Sequence, residues 1–138
     1  MTVGFTGTRK GMTHAQKSQL CVILSILANH TANVFHQGGA DGADLQAVEL
    51  ARHFKFDVTW HPADGHRGDA VLRANGTVDI VHDELPPLVR NYNIVRACDL
   101  LVAAPETDKE VLRSGTWATV RAARQMGKPV VMLSRGEV

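Results

Sequence analysis

Three short glycine-bearing segments are the part of this sequence best suited to bind an anion. Each follows a predicted strand and precedes a predicted helix, the third through the longer loop 105–113. Backbone N–H groups at a helix N-terminus favour phosphate, and glycine lets the backbone approach a ligand closely. The segments are Gly7-Thr8-Arg9, Gly38-Gly39-Ala40-Asp41-Gly42 and Ser114-Gly115-Thr116. They match neither the dinucleotide fingerprint G-x-G-x-x-G nor the Walker motif, so together they predict a different phosphate site.

Charged side chains stand next to these segments. Arg9 follows the first predicted strand, where a guanidinium is able to hold a phosphate through two hydrogen bonds. Asp44 falls in the first turn of the helix after the second segment. Its carboxylate has two interpretations, a helix cap worth about 1 kcal/mol or an acceptor for ribose hydroxyls. The sequence leaves both open.

Several other residues could take part in binding or catalysis, but a structural role explains each of them. His36 and His61 end adjacent predicted strands and are expected near the same cleft, but no third ligand at metal spacing accompanies them. Trp117 is suited to stack on a base, although core packing is the favoured interpretation. Cys21 and Cys98 stand in apolar surroundings and are expected to be buried, reduced thiols. We therefore predict no metal and no cofactor.

Strands and helices alternate along the chain, and this order positions the glycine segments. Predicted strands cover residues 2–6, 34–37, 56–60, 100–103 and 129–133, with 78–82 as a short extra strand. Predicted helices begin at a capping box on Thr13, cover 44–54, follow Pro86-Pro87 over 88–97, and cover 116–126. Such alternation predicts a single α/β domain over residues 1–138, Rossmann-like, with a parallel sheet flanked by helices. Its ligand site is expected beyond the carboxyl ends of the strands.

Composition restricts the class of protein. The 138 residues are 44% hydrophobic and 21% charged, with a net charge of +1, which is typical of a globular domain. This balance disfavours a dedicated duplex-DNA binder, which normally has a basic face. No stretch reaches the ~18 apolar residues of a membrane span and no leader pattern is visible, so we expect a cytoplasmic protein without a membrane partner.

Several motifs resemble the SLOG superfamily. They are TGTR, QGGADGAD, the RN within PLVRNYNIVRACDLLVAAP, SGTW and GKPVVML. That group includes the LOG-type cytokinin-activating phosphoribohydrolases and the Rossmann domain of DNA-processing protein A. The chain is most similar to its small single-domain branch related to YspA and YpsA. The resemblance covers nearly the whole chain, least over residues 62–84. It implies that Gly38, Gly39 and Gly42 approach a nucleotide-derived ligand and that Ser114, Gly115 and Thr116 bind its phosphate.

The same resemblance assigns a role to Arg90 and also shows a departure from the family. Arg90, beside Asn91, matches the arginine that the family's hydrolases use next to the scissile N-glycosidic bond. The hydrolases carry G-T-x-x-E at the last helix, whereas this chain has Thr119 in place of the glutamate. A hydroxyl does not supply the negative charge that an oxocarbenium-like transition state needs. Asp41, Asp44 and Asp64 are the candidate substitutes.

The position of Arg90 on its predicted helix allows a second interpretation that does not use the family resemblance. On the predicted helix it shares a face, taken as polar, with Asn93, Ile94 and Ala97. This face lies away from the apolar stripe of Leu88, Tyr92 and Val95. An arginine in such a position is usually solvated, so only the family position favours a catalytic role for it.

Three functions follow, in order of preference. The first is binding of a nucleotide-derived, ribose-phosphate-containing small molecule by a sensor, carrier or sequestering protein. The alternative is an N-glycosidic-bond hydrolase acting on a nucleotide or NAD-like substrate; single-stranded DNA binding is the least favoured. The apolar residues of the first helix, VILSIL, are compatible with a homodimer or higher homo-oligomer. The predicted ligand-binding set is Gly7, Thr8, Arg9, Gly38, Gly39, Ala40, Asp41, Gly42, Asp44, Arg90, Asn91, Ser114, Gly115 and Thr116.

Overall fold

The computed structural model describes residues 1–65 and 78–136. The strands are β1 (Thr2–Gly7), β2 (Val34–Gln37), β3 (Asp57–Trp60), β4 (Ile80–Val81), β5 (Leu100–Ala104) and β6 (Val130–Met132). The helices are α1 (His14–Leu27), α2 (Ala43–His53), α3 (Pro87–Ala97) and α4 (Gly115–Gln125). Each predicted element is present in the described part, and the short extra strand is reduced to the two residues of β4. None of these helices is long and apolar enough to cross a membrane.

The six strands form one parallel sheet in the order β4-β3-β2-β1-β5-β6. The predicted α/β Rossmann-like class is confirmed. Strand order reverses between β1 and β5, which pair directly from Val3↔Leu100 to Gly7↔Ala104. The loops that follow these two strands therefore diverge, and their divergence opens a crevice at the carboxyl edge of the sheet.

Apolar side chains fill both faces of the sheet. On the face of α1 and α2, the rings of Phe5 and Phe35 lie 5.8 Å apart and those of Phe35 and Phe56 lie 6.4 Å apart. On the face of α3 and α4, Trp117 is buried with Val95 and their neighbours. The core interpretation of Trp117 is thus confirmed. Two packed layers hold the strand ends, and hence the loops beyond them, in fixed positions.

The start of α1 follows the predicted capping box. Thr13 Oγ1 accepts the Gln16 N–H at 3.1 Å, and Gln16 Oε1 accepts the Thr13 N–H at 3.0 Å. Gln16 is fully buried, and its Nε2 donates to the Pro105 carbonyl at 3.0 Å. This bond ties α1 to the loop after β5, on which one wall of the crevice is built.

The prediction that both cysteines are buried is wrong for Cys21, which lies on the outer side of α1. Cys98 is buried, but Cys21 is only partly buried; both thiols are free. Cys21 lies beside Val22, which is exposed, whereas the inward stripe of α1 consists of Leu20 and Leu24. The hydrophobic surroundings in sequence were misleading because an apolar helix residue off the inward stripe faces outward.

Candidate ligand-binding site

A cleft of about 550 Å³ opens at the carboxyl ends of β1 and β5, where the strand order reverses. Most of the predicted ligand-binding residues line it: Gly7, Thr8, Arg9, Ala40, Asp44, Arg90, Asn91, Ser114, Gly115 and Thr116. Sequence reasoning missed Thr6, Lys10, Pro87, Glu106, Val111 and Arg113, which also line it. Two of these residues could have been identified because they are next to predicted site residues in sequence: Lys10 follows Arg9, and Arg113 precedes Ser114.

A second cavity of about 140 Å³ adjoins the cleft and shares Arg9, Ala40 and Arg90 with it. The other predicted residues along this smaller cavity are Gly38, Gly39 and Asp41. Gly42 borders neither cavity. The structure thus brings all three glycine segments to one edge of the sheet, as their places after parallel strands require.

The N-terminus of α4 faces the cleft with unused hydrogen-bond donors. Ser114 Oγ accepts the N–H of Trp117 at 3.2 Å, which leaves the amides of Gly115 and Thr116 in the first turn without a partner within the helix. A Cβ placed on Gly115 meets no protein atom within 4 Å, and its φ lies outside the left-handed region. Nothing in the protein fold requires glycine here, and the open space belongs to the cleft.

The glycines of the β2–α2 loop have a different explanation. Gly39 has φ +72°, and a Cβ there would overlap the indole of Trp60. Gly42 has φ +88°, and a Cβ there would overlap the carbonyl of Arg9. The amide of Gly39 donates to Gln37 Oε1 at 2.6 Å. Backbone conformation and packing account for these glycines without a ligand, and their approach to a phosphate stays a prediction.

Asp44 lies in the first turn of α2 and is almost fully buried. Its Oδ2 accepts the N–H of Ala40 at 3.2 Å, so one carboxylate oxygen orders the loop. Its Oδ1 is buried and has no hydrogen-bond partner among the described residues. Burial raises the pKa of Asp44 from 3.8 to about 6, against the hydrogen bond from Ala40 and the attraction of Arg90. Asp44 is one of the residues that line the cleft.

Arg90 is anchored to the ends of β2 and β3. Its Nη1 donates to the carbonyls of Gly38 and His61, each at 3.1 Å, and its Nε donates to Asn91 Oδ1 at 2.8 Å. Burial lowers the pKa of Arg90, and the carboxylate of Asp44 opposes that effect. Both charged groups lie beside Gly38, where a Cβ would be 2.5 Å from Arg90 Nη1 and 3.3 Å from Asp44 Oδ2.

The predicted polar face of α3 is wrong. Leu88 and Tyr92 are exposed, whereas Ile94 is buried together with Val95. Arg90 lies one turn before Ile94, so it is on the face that packs against the sheet. The apolar periodicity of α3 therefore did not identify the face that is buried in the fold.

Three histidines at the ends of neighbouring strands form a cluster. His36 Nδ1 and His61 Nε2 are 2.8 Å apart, and the His61 ring stacks on His82 at 4.3 Å. Burial, with help from the neighbouring histidines, lowers the pKa of His36 to about 4 and that of His61 to about 3. The predicted proximity of His36 and His61 is confirmed. Within residues 1–65 and 78–136, no group of three or more potential ligands is placed to hold a metal.

Carboxylates at the cleft bear on the question of hydrolysis. Thr119 is buried and its Oγ1 donates to the Gly115 carbonyl at 3.0 Å, so it lies inside the helix layer and outside the cleft wall. Of its candidate substitutes, Asp44 lines the cleft, Asp41 lines the small cavity, and Asp64 lines neither. Glu106 also lines the cleft and forms a 2.6 Å ion pair with Lys10.

Comparison with known proteins extends the description of the fold. No protein-family model matches the sequence, and no curated protein matches it. The structure is similar to DNA processing protein A from Streptococcus pneumoniae, with a TM-score of 0.70 and 20% identity over 95% of this chain and 49% of that one. For the molybdenum cofactor (Moco) carrier protein from Chlamydomonas reinhardtii the TM-score is 0.70, with 23% identity over 96% of this chain and 75% of that one.

A third similar structure is that of DNA processing protein A from Helicobacter pylori, a protein described as binding single-stranded DNA. The TM-score is 0.67, with 22% identity over 96% of this chain and 64% of that one. The chain thus spans about half of the Streptococcus pneumoniae protein. Identity at this level speaks for the fold alone. The chain has the Rossmann-like α/β fold of these proteins.

Proposed function

We propose that this protein binds a nucleotide-derived small molecule that contains a ribose-phosphate, as a sensor, carrier or sequestering protein. The observation that carries the proposal is the buried, unpartnered Oδ1 of Asp44 in a cleft that also receives the open N-terminus of α4. A buried acceptor without a donor is costly, and a ligand hydroxyl would satisfy it. A phosphate would accept from the amides of Gly115 and Thr116. Hydroxyl and phosphate together describe a sugar phosphate.

Size and charge of the cleft agree with this ligand class. Its volume of about 550 Å³ is within the usual range for small-molecule sites. Arg9, Lys10, Arg90 and Arg113 line it, against the carboxylates of Asp44 and Glu106, so the lining has an excess of positive charge. Positive charge around a helix N-terminus strengthens phosphate binding. The similarity in fold to a protein named as a Moco carrier supports a carrier role.

Hydrolysis of an N-glycosidic bond is the second candidate, and the same carboxylate favours it. Asp44 is the one proposed substitute for the family's glutamate that lines the main cleft, and Arg90 lies beside it next to Gly38. When ionised, Asp44 would stabilise the cationic sugar that forms as the bond to the base breaks. Water would then add to the sugar and the base would leave with a proton. Thr119 contributes no charge, so this mechanism depends on Asp44.

The proposal is tested by native mass spectrometry of the purified protein with AMP, ADP-ribose, NAD, cyclic ADP-ribose and cyclic dinucleotides. We expect an intact ligand mass on the wild type and its loss in Gly115→Val, whose side chain enters the cleft without touching the protein. Gln125→Val adds the same side chain to the exposed end of α4, outside the cleft, and is the matched control.

Each outcome separates the functions. Retention of ligand by the control and loss from Gly115→Val supports binding at this cleft. A free base or a cleaved sugar phosphate establishes the hydrolase instead. No retained ligand across the whole panel refutes the proposal. In that case, salt-dependent binding of a single-stranded oligonucleotide would favour the function described for the Helicobacter pylori protein.

A further inference from the structure

The smaller cavity, of about 140 Å³, has the size of one small polar group. Liquid water occupies roughly 30 Å³ per molecule, so the space corresponds to a few waters or one phosphate and is too small for a nucleoside. Two arginines, Arg9 and Arg90, border it together with the backbone of Gly38–Ala40. Because both arginines also border the main cleft, one ligand is able to reach both spaces.

Among the described residues, Asp44 attracts the partly buried Arg90 from beyond salt-bridge distance and compensates its charge only in part. The Nη1 and Nε of Arg90 donate to two carbonyls and an amide oxygen, which are uncharged. Its Nη2 makes no hydrogen bond, and no carboxylate lies within 4.0 Å of the guanidinium, within residues 1–65 and 78–136. Buried charges in proteins are normally paired, because an unpaired charge has lost its hydration without replacement.

The other charges around the cavity act in opposite directions. Arg9 is exposed, and its positive charge repels that of Arg90. An anion between the two guanidinium groups would relieve this repulsion. Asp41 also borders the cavity, but its side chain lies at the exposed rim. Asp44 lies on the same side of Gly38 as Arg90 and also lines the main cleft.

We propose that the small cavity is a second anion subsite, so that the ligand carries two separate phosphates or similar anionic groups on one sugar. This inference rests on the proposed function. One anionic group takes the N-terminus of α4, the sugar hydroxyls face Asp44, and the second group lies between Arg9 and Arg90. Guanidinium groups form paired, charge-assisted hydrogen bonds with phosphate, which would compensate the charge of the partly buried Arg90.

Two base-free probes test this assignment, ribose 5-phosphate and ribose 1,5-bisphosphate, titrated by isothermal calorimetry. We expect the wild type to bind the bisphosphate about tenfold or more tightly than the monophosphate, as a charge-assisted hydrogen-bond pair implies. Arg90→Met and Arg9→Met should each bring the ratio of the two affinities close to one. Arg96→Met removes an exposed arginine from the same helix α3, outside both cavities, and should keep the wild-type ratio.

The outcomes decide the inference and the proposed function separately. Equal affinity of the wild type for the two probes overturns the second subsite, and so does failure of both to bind. Retention of the wild-type ratio in Arg9→Met also overturns it, and this variant replaces an exposed side chain, so its folding is not in doubt. The proposed function stands or falls with the nucleotide panel in native mass spectrometry, which does not depend on the small cavity.

Discussion

Replacement of Asp44 by asparagine is expected to stabilise the protein while weakening its ligand binding. The carboxylate is buried, and burial raises its pKa from 3.8 to about 6 even though Ala40, Arg90 and other groups favour the charged form. The side-chain amide introduced by Asp44→Asn still accepts the N–H of Ala40 but carries no charge. Residues kept for binding often lower stability in this way.

The magnitude follows from the linkage between protonation and folding. A pKa of about 6 in the folded state against 3.8 otherwise corresponds to about 3 kcal/mol. Because the folded pKa is raised, the folded state gains stability from the protonated carboxyl below pH 3.8 and loses it as the pH rises through 6. The N-terminal dipole of α2 recovers up to ~1 kcal/mol for the charged form. At pH 7 we expect Asp44→Asn to raise the free energy of unfolding by about 2 kcal/mol.

Urea denaturation of both proteins between pH 3.5 and 8 measures this difference. Subtracting the two stability curves removes every other titrating group, so the remainder belongs to position 44. The difference should be small near pH 3.8, grow through pH 6 and stay constant above it. Ribose 5-phosphate affinity should fall about tenfold or more, since the amide satisfies only one of the two acceptor positions. A variant that is less stable than the wild type at pH 7, or a difference that does not change with pH, would refute the reasoning.

Two further predictions concern the glycines and the histidines. Gly39→Ala should lower the free energy of unfolding by more than ~2 kcal/mol, because the added Cβ overlaps the Trp60 indole at a positive φ. Gly115→Ala should be neutral or slightly stabilising, because its Cβ meets no protein atom. Equal urea midpoints for the two variants would contradict this prediction. The pKa values of His36 and His61 lie below the usual 6.5, at about 4 and about 3, so their contribution to stability is complete above pH 6.5 and is lost as the pH falls toward 4. The urea midpoint at pH 5 should therefore lie below that at pH 7.5, measured in Asp44→Asn so that the opposite titration of Asp44 does not interfere; an unchanged midpoint would count against the cluster.

Local patterns were sufficient for the elements. The capping box at Thr13, the prolines before α3 and the alternation of apolar runs predict helix starts and strands that the structure contains. These signals operate within a few residues, through backbone hydrogen bonds and side-chain periodicity, so they are readable without the rest of the fold. The same patterns failed for Leu88 and Cys21, since burial depends on what covers a residue in space.

The sequence by itself determined the class of fold and the edge of the sheet at which the three glycine segments gather, because parallel strands place the loops after them on one side. Only the tertiary structure decided what each glycine does. Gly39 makes room for Trp60, distant in sequence, whereas Gly115 borders open space. It also decided the surroundings of Asp44, since Arg90, which acts on its carboxylate, comes from the distant helix α3. Hydrogen-bond satisfaction and burial are properties of the assembled layers, and a single sequence does not encode them locally.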